Sequence, residues 1–152
     1  MKLQQTKNTA LLNKIRQNSF LAISIGLVYL WFGYLKFFHG LSPAEGLAKD
    51  TIHALTFGLI PSNMSIVLLA IMEVGIGIVL IVNVFRKKII ILALLHLACT
   101  FTPLLLFSEA SFAISPYVPT LLGQYIAKNI IIVGALLVLF REENKLAVRA
   151  KN

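Results

Sequence analysis

The sequence is poor in charge, and above all in acidic residues. Of its 152 residues 13% are charged, and six are Asp or Glu against fourteen Lys or Arg. A soluble domain typically carries about 25% charged residues, so this chain has too few to cover a globular surface. Its apolar residues, 58% of the total, also run in long blocks and not in dispersed amphipathic stripes. This composition argues against a soluble domain and indicates that the lipid bilayer is the solvent.

Cysteine and the common catalytic motifs are also scarce. Cys99 is the single cysteine, so an intramolecular disulfide is impossible and cysteine spacing says nothing about compartment. The sequence contains no HExxH motif, no Gly-rich phosphate loop and no Cys pair. One deep His with one Cys and one deep Glu does not make a metal site, and a haem would need His ligands on facing helices. The residues therefore predict no metal site and assign no independent catalytic activity.

Four apolar blocks have the length of membrane spans. We predict helices at about residues 20–38, 64–85, 89–107 and 121–140, each long enough to cross a hydrocarbon core of roughly 30 Å. The first block follows a basic N-terminus, as in a signal peptide. It is long, however, and no small-residue cleavage site precedes Trp31, so we expect it to be retained. The sequence predicts one all-α domain over residues 1–152, an integral membrane four-helix bundle.

Basic clusters flank these blocks and predict the topology. Eleven of the fourteen Lys and Arg residues fall in three clusters: Lys2, Lys7, Lys14 and Arg16; Arg86, Lys87 and Lys88; and Arg141, Lys145, Arg149 and Lys151. Because such clusters are typical of cytoplasmic segments, we predict that both termini and a tight turn at 86–88 are inside, and that segments 39–63 and 108–120 are outside. The same placement accounts for the net charge of +8, so we expect no nucleic-acid partner.

The first external segment has helical signals of its own. In Ser42-Pro43-Ala44-Glu45, Ser42 fits an N-cap, Pro43 the first helical position and Glu45 the third, which together make a capping box. We predict a short helix over about residues 43–57. It is too short and too polar to span a bilayer. Two interpretations stay open, an interfacial helix that roofs the bundle and a surface linker.

Three ionisable residues lie well inside the predicted spans, where each costs about 2.5–3.5 kcal/mol on insertion scales. They are Glu73, His96 and Lys128, on three different helices. At a rise of about 1.5 Å per residue, all three lie roughly 10–16 Å from the outer ends of their helices. We therefore predict a shared polar pocket in the outer half to middle of the bilayer, with an ion pair between Glu73 and Lys128.

Further polar residues extend the predicted pocket. Its full set of residues is Lys36, Glu73, His96, Thr100, Gln124, Lys128 and Asn129. Thr100 is one helical turn from His96, and Gln124 is one turn from Lys128. Two interpretations stay open here as well, a latch that only fixes helix packing and a pocket that binds a ligand. Lys36, near the outer end of its helix, has a simpler alternative role, which is snorkelling to the lipid head groups.

Glycines accompany the polar residues on two helices. Gly26, Tyr29, Gly33 and Lys36 follow one another at helical spacing on the first helix. On the second helix, Gly75 and Gly77 lie close to Glu73 in sequence. Since small residues on such stripes let membrane helices approach each other closely, we expect close helix contacts along them.

Short motifs in three helices resemble the DoxX-like family of small bacterial membrane proteins. The first helix ends in Trp31-Phe32-Gly33-Tyr34-Leu35-Lys36-Phe37, similar to the family's Gly-x-x-Lys ending. The second contains Glu73-Val74-Gly75-Ile76-Gly77-Ile78, followed by Asn83 and Arg86, similar to its Glu and paired-Gly pattern with a basic turn. The fourth contains Gln124-Tyr125-Ile126-Ala127-Lys128-Asn129, similar to its Lys/Asn start. The resemblance covers about residues 15–142.

The resemblance implies a four-helix bundle in the bacterial cytoplasmic membrane. Some members of the family are subunits of quinone-linked, sulfur- or stress-related membrane oxidoreductases, and most have no assigned activity. The lack of a Cys pair argues against thiol–disulfide chemistry in this chain.

Three functional hypotheses follow. The first is an accessory subunit of a membrane redox or stress-response system, with quinone as the candidate cofactor or a small acid as the ligand of the polar pocket. The second is a small proton-coupled transporter, because Glu, His and Lys inside a membrane can relay protons, although no inverted repeat is visible. The third is a non-catalytic membrane scaffold. Beyond the lipid bilayer, a protein partner in a membrane complex and a homo-oligomer both stay open.

Overall fold

The computed structural model of the protein describes residues 2–114 and 116–149, with side chains for 18–114, 116–145 and 148. Its helices are α1, Lys2–Leu35; α2, Glu45–Leu55; α3, Ser62–Val82; α4, Arg86–Phe101; α5, Pro103–Leu106; α6, Ser108–Ser111; α7, Leu121–Ala127; and α8, Ile130–Arg149. An antiparallel pair of short strands, β1 (Phe112–Ile114) and β2 (Val118–Pro119), lies between α6 and α7.

Four segments of the described chain are long and apolar enough to cross a membrane. They are Asn18–Leu35, Ser62–Val82, Arg86–Leu106 and Leu121–Lys145, with 18 to 25 residues each. Large apolar side chains such as Phe20, Leu95 and Ile131 face outward, as expected where lipid replaces water. The prediction of a mostly helical protein with four spans is confirmed, and the chain is a multi-pass membrane protein.

The ends of the spans differ from the predicted ones. α1 ends at Leu35, and the amide of Lys36 donates to the Gly33 carbonyl (3.2 Å) in the turn that follows. α3 ends at Val82, and the turn to α4 contains Asn83 in the left-handed region at φ 63°, a conformation that asparagine tolerates well. The predicted turn at 86–88 is therefore wrong, because these three basic residues form the first turn of α4.

Two of the spans are interrupted. In the third, α4 ends at Phe101 and Pro103 begins α5, because proline has no N–H to continue the helical hydrogen bonds. In the fourth, Lys128 and Asn129 lie between α7 and α8. The predicted continuous helix over 121–140 is therefore two helices, and the break falls on two of the predicted site residues.

Glycines form the close contact between α1 and α3. A Cβ atom placed on Gly26 would lie 2.8 Å from the carbonyl oxygen of Gly77, and one placed on Gly77 would lie 2.7 Å from the carbonyl oxygen of Gly26. A Cβ on Gly33 would lie 2.9 Å from the Cβ of Glu73. Only glycine leaves room for backbones this close, as expected from the stripe on the first helix. The contact places Glu73 beside the end of α1.

The apolar core draws on all four spans, and one end of the bundle is tied together by Arg86. Buried members of the core include Ala22, Ile25, Ile76, Leu80, Ile90, Ala93, Leu136 and Leu139. The Arg86 guanidinium donates to Glu143 Oε1 (2.9 Å) on α8 and lies 3.4 Å from Ser19 Oγ on α1. The described parts of the basic clusters thus share one end of the bundle, and α2 lies at the other.

The helix α2 begins later than predicted and is held by a different contact. Ala44 is its N-cap and makes no side-chain cap, so the predicted capping box at Ser42 is wrong. The Glu45 carboxylate accepts instead from the Gly40 amide (2.8 Å) and pairs with Lys49 Nζ (2.6 Å) and His39 Nδ1 (2.8 Å). The hydrogen bond from Lys49, followed by that from Gly40, lowers the pKa of Glu45 to about 2, so this anchor is charged at any physiological pH.

We predict that Gly77→Ala destabilises the protein while Gly75→Ala does not. The added methyl at position 77 would meet backbone atoms of Gly26 and Leu30 at 2.7 Å, so α1 and α3 must separate, at a cost of about 1–3 kcal/mol. The control at position 75 has nothing within 4 Å of its added methyl. Thermal unfolding of both variants in mild detergent measures the difference, and equal transition temperatures would contradict the close contact.

Candidate functional site

A cavity of about 430 Å³ lies between the spans and beneath α2. Its walls are mostly apolar and come from α1, α3, α4, α7 and α8, while α2 contributes residues such as Leu47, Thr51 and Leu55. This size and apolar lining are typical of sites for small organic molecules, in which a few polar groups fix the orientation of the ligand. The polar groups of this cavity are concentrated around Glu73.

Glu73 is a buried carboxylate whose two oxygens both have partners. Oε2 lies 2.6 Å from Lys36 Nζ, and Oε1 lies 3.2 Å from His96 Nε2. The side chains of Glu73, Lys36 and His96 are only 8–10% exposed. A carboxylate at this depth is stable only when charged or donating groups of the protein replace water, and these two side chains do so.

Tyr29 holds His96 from the other side of the imidazole ring. Tyr29 Oη lies 3.1 Å from His96 Nδ1 and 3.2 Å from the carbonyl oxygen of Ala93. With a neutral His96, Nε2–H donates to Glu73 and Nδ1 accepts from Tyr29. With a protonated His96, both ring nitrogens donate and Tyr29 turns its hydroxyl to Ala93. We call the connected residues Lys36, Glu73, His96 and Tyr29 the polar chain; it accommodates a proton on His96 without losing a hydrogen bond.

Lys36, and not Lys128, is the ion-pair partner of Glu73, so the predicted Glu73–Lys128 pair is wrong. The Lys128 ammonium lies instead 4.0 Å from the ring centre of Tyr125 and 5.0 Å from that of Phe32, where the faces of the rings attract a cation. Equal depth along two helices says nothing about which faces meet. The glycine contact puts α1 next to Glu73, so Lys36 reaches the carboxylate and does not snorkel to the head groups.

Six of the seven predicted site residues line the cavity, namely Lys36, Glu73, His96, Thr100, Lys128 and Asn129. Thr100 donates its hydroxyl hydrogen to the His96 carbonyl (2.9 Å). Gln124 lies elsewhere, because its side-chain amide is exposed and donates to the Pro119 carbonyl of β2 (3.3 Å). Tyr29 is the residue that the prediction omitted. Its position on the same helical stripe as Lys36 was the available signal.

Among the described residues, no three His, Cys, Asp or Glu side chains come together where they could hold a metal ion.

Comparison with protein families, curated proteins and solved structures finds no match to this chain. The resemblance to the DoxX-like family therefore rests on the short motifs alone. What the site can do follows from its own geometry, a buried acid–base chain along one wall of an apolar cavity.

We predict strong coupling between Glu73 and Lys36. Glu73→Gln and Lys36→Met should each lower the free energy of unfolding, by up to about 3–5 kcal/mol, because each leaves a buried charge without its main partner. The double variant should recover much of the loss. Thermal or denaturant unfolding in detergent gives the coupling free energy of the cycle.

The matched control for this cycle is Glu73→Gln combined with Lys128→Met, whose effects should add. Lys128 lies on the same cavity but contacts aromatic rings and not the carboxylate. Strong coupling in the control cycle, with additive effects in the Lys36 cycle, would show that the pairing described above is incorrect.

Proposed function

We propose that the cavity binds a small amphiphilic ligand with its polar head on the polar chain, and that this ligand is a quinone. The observation that carries the proposal is a buried, fully paired set of Lys36, Glu73, His96 and Tyr29 on the wall of an apolar cavity of about 430 Å³. Quinone oxygens accept hydrogen bonds, and Lys36 can donate one, because its ammonium carries three N–H groups and directs two of them to Glu73 and the Phe32 carbonyl. The rings of Phe32 and Tyr125, which also line the cavity, suit a flat aromatic body.

Within this proposal, the chain binds and orients the head group and holds a proton at His96. Reduction of a quinone consumes two electrons and two protons, and the polar chain places an imidazole between a hydroxyl and a carboxylate. A partner in a membrane redox or stress-response complex would supply the electrons. The proposed role is therefore that of an accessory subunit, with no catalytic activity of its own.

We further propose that the protein resides in a bacterial cytoplasmic membrane with both termini inside and α2 in the outer interface. The charges support this topology, because Arg86, Lys87 and Lys88 share one end of the bundle with Arg141 and Lys145, and basic segments stay in the cytoplasm. Exposed apolar side chains follow α2, including Phe57 and Leu59, and suit a lipid interface. The resemblance to the DoxX-like family supports the same location.

Reporter fusions test the topology. Fusions after residues 18, 87 and 145 should report a cytoplasmic location, and fusions near residues 50 and 112 an external one, because the basic segments anchor the inner side. The paired use of an alkaline phosphatase and a fluorescent protein gives a positive signal on each side. A cytoplasmic signal from the fusion near residue 112 would contradict the four-span topology.

Quinone binding is tested with protein purified in mild detergent. Extraction and mass spectrometry should find a co-purified quinone, and adding a short-chain ubiquinone or menaquinone analogue should raise the unfolding temperature. His96→Phe keeps an aromatic ring but removes the two nitrogens that hold Glu73 and Tyr29 in place, so it should lower the affinity about tenfold or more. His53→Phe, an exposed histidine of α2, is the matched control.

A proton-coupled transporter is the second candidate, since the polar chain is also what a proton relay requires. It predicts pH-driven solute uptake into proteoliposomes that disappears in Glu73→Gln. Uptake of this kind, with no bound quinone and no thermal shift, would replace the first proposal with the second.

A further inference from the structure

Lys128 is a charged residue of the cavity lining that does not belong to the polar chain. All six acidic residues of the chain have described side chains, and none forms an ion pair with Lys128 in the part of the chain that the structure describes. Its ammonium lies against the faces of Tyr125 and Phe32, and all three side chains line the cavity. Lys128 therefore presents a positive charge without a carboxylate partner to the cavity.

The charge balance of the cavity is positive for the same reason. Its ionisable lining consists of Lys36, Lys128, His96 and Glu73, together with Tyr29, Tyr125 and Cys99, which are neutral in their ordinary states. Glu73 is fully engaged by Lys36 and His96, so one positive charge stays uncompensated even when His96 is neutral. A ligand that enters this cavity meets a local field that favours a negative group.

The depth of Lys128 makes this charge costly unless something balances it. The residue lies roughly 10 Å along the fourth span from Leu121 and is exposed on the protein, so in a bilayer its ammonium must be balanced by lipid or by a ligand of the cavity. Aromatic faces attract a cation, but they do not replace a counter-ion. Two aromatic rings beside an ammonium also form a surface on which a flat acidic molecule can pack while its anion meets the charge.

We infer that Lys128 is an anion-binding group of the cavity and that the ligand carries a negative group, a carboxylate or a deprotonated hydroxyl, on an apolar body. The inference rests on the proposed function of the cavity as a ligand site and narrows the class of ligand to organic acids, including acidic quinones. Lys128 then determines the specificity for anionic over neutral ligands, while the polar chain contacts the other end of the ligand. Phospholipid phosphate is the other source of an anion, because an exposed lysine side chain can extend to the head groups, and the experiment separates the two.

Two probes with the same ring system test the inference. 2-Hydroxy-1,4-naphthoquinone is an anion at neutral pH, whereas 2-methoxy-1,4-naphthoquinone is neutral. Their Kd values are measured by equilibrium dialysis against the full chain in dodecyl maltoside, which contains no phosphate. Wild type should bind the anion about tenfold or more tightly than the neutral probe, as expected for a charge-assisted contact, and Lys128→Met should lose this preference. Micelle partitioning cancels when the ratio of the two Kd values is compared between proteins.

Two control variants make the result specific. Lys128→Arg keeps the charge and should keep a preference for the anion. Lys128→Met should still bind the neutral probe as wild type does, which excludes a folding defect as the cause of its lost preference. Lys87→Met removes another lysine that lies over a ring, that of Phe140 at 5.6 Å, but which is not in the cavity lining, and it should leave the preference unchanged. A preference that survives in Lys128→Met, or that disappears in Lys87→Met, overturns the inference.

The outcomes also separate this inference from the quinone proposal. If the neutral probe binds and the anion has no advantage, the quinone proposal survives and the role of Lys128 does not. If the anion binds and the neutral probe does not, the anion-binding role of Lys128 is supported and a neutral quinone is not the ligand. Binding of neither probe overturns both. An anion preference seen in maltoside but abolished in phosphatidylcholine nanodiscs would assign Lys128 to lipid phosphate and overturn the small-molecule ligand.

Discussion

The carboxylate of Glu73 imposes the constraint on which the rest of the bundle depends. Lipid offers it neither water nor a counter-ion, so the protein must bring a cation and a donor to it from other helices. Lys36 can reach it only because Gly33 lets α1 approach the Cβ of Glu73 closely, and because α1 ends at Leu35, which frees the lysine to turn inward. The glycine contact is thus a condition for the ion pair, and the ion pair fixes where the polar wall of the cavity lies.

The features that could be predicted from the sequence are those that one helix expresses by itself. Hydropathy predicted the four spans. The helical spacing of Gly26, Tyr29, Gly33 and Lys36 predicted that glycines and polar groups share one face of α1. The rise per residue placed Glu73 and His96 at similar depth, and the structure brings them within 3.2 Å of each other. Each of these predictions needed only the geometry of a single helix.

The predictions that failed concern relations between elements. Lys128 was at a suitable depth to pair with Glu73, but depth does not say which helices are neighbours, and α1 occupies the side of Glu73 that the pair required. The break between α7 and α8 at Lys128 could not be predicted either, because no proline marks it in the sequence. The sequence predicted that Glu45 lies in the first turn of a helix as part of a capping box. Its carboxylate instead contacts Gly40, Lys49 and His39, and the capping pattern does not predict these partners.

The two ends of the bundle are closed in different ways, and this difference explains why the cavity lies where it does. At the basic end, Arg86 joins α4 to α8 through Glu143 and lies close to Ser19 of α1, and the core fills the space between the helices. At the other end, the spans are covered by the separate helix α2, which is anchored by Glu45 and leaves space beneath it. A bundle that packed its spans tightly along their whole length would bury Glu73 equally well but would have no room for a ligand. The helix breaks before Pro103 and at Lys128 and Asn129 occur in the half that contains the cavity, and these three residues contribute to its lining. Irregular backbone at membrane depth is tolerated where it lines a cavity.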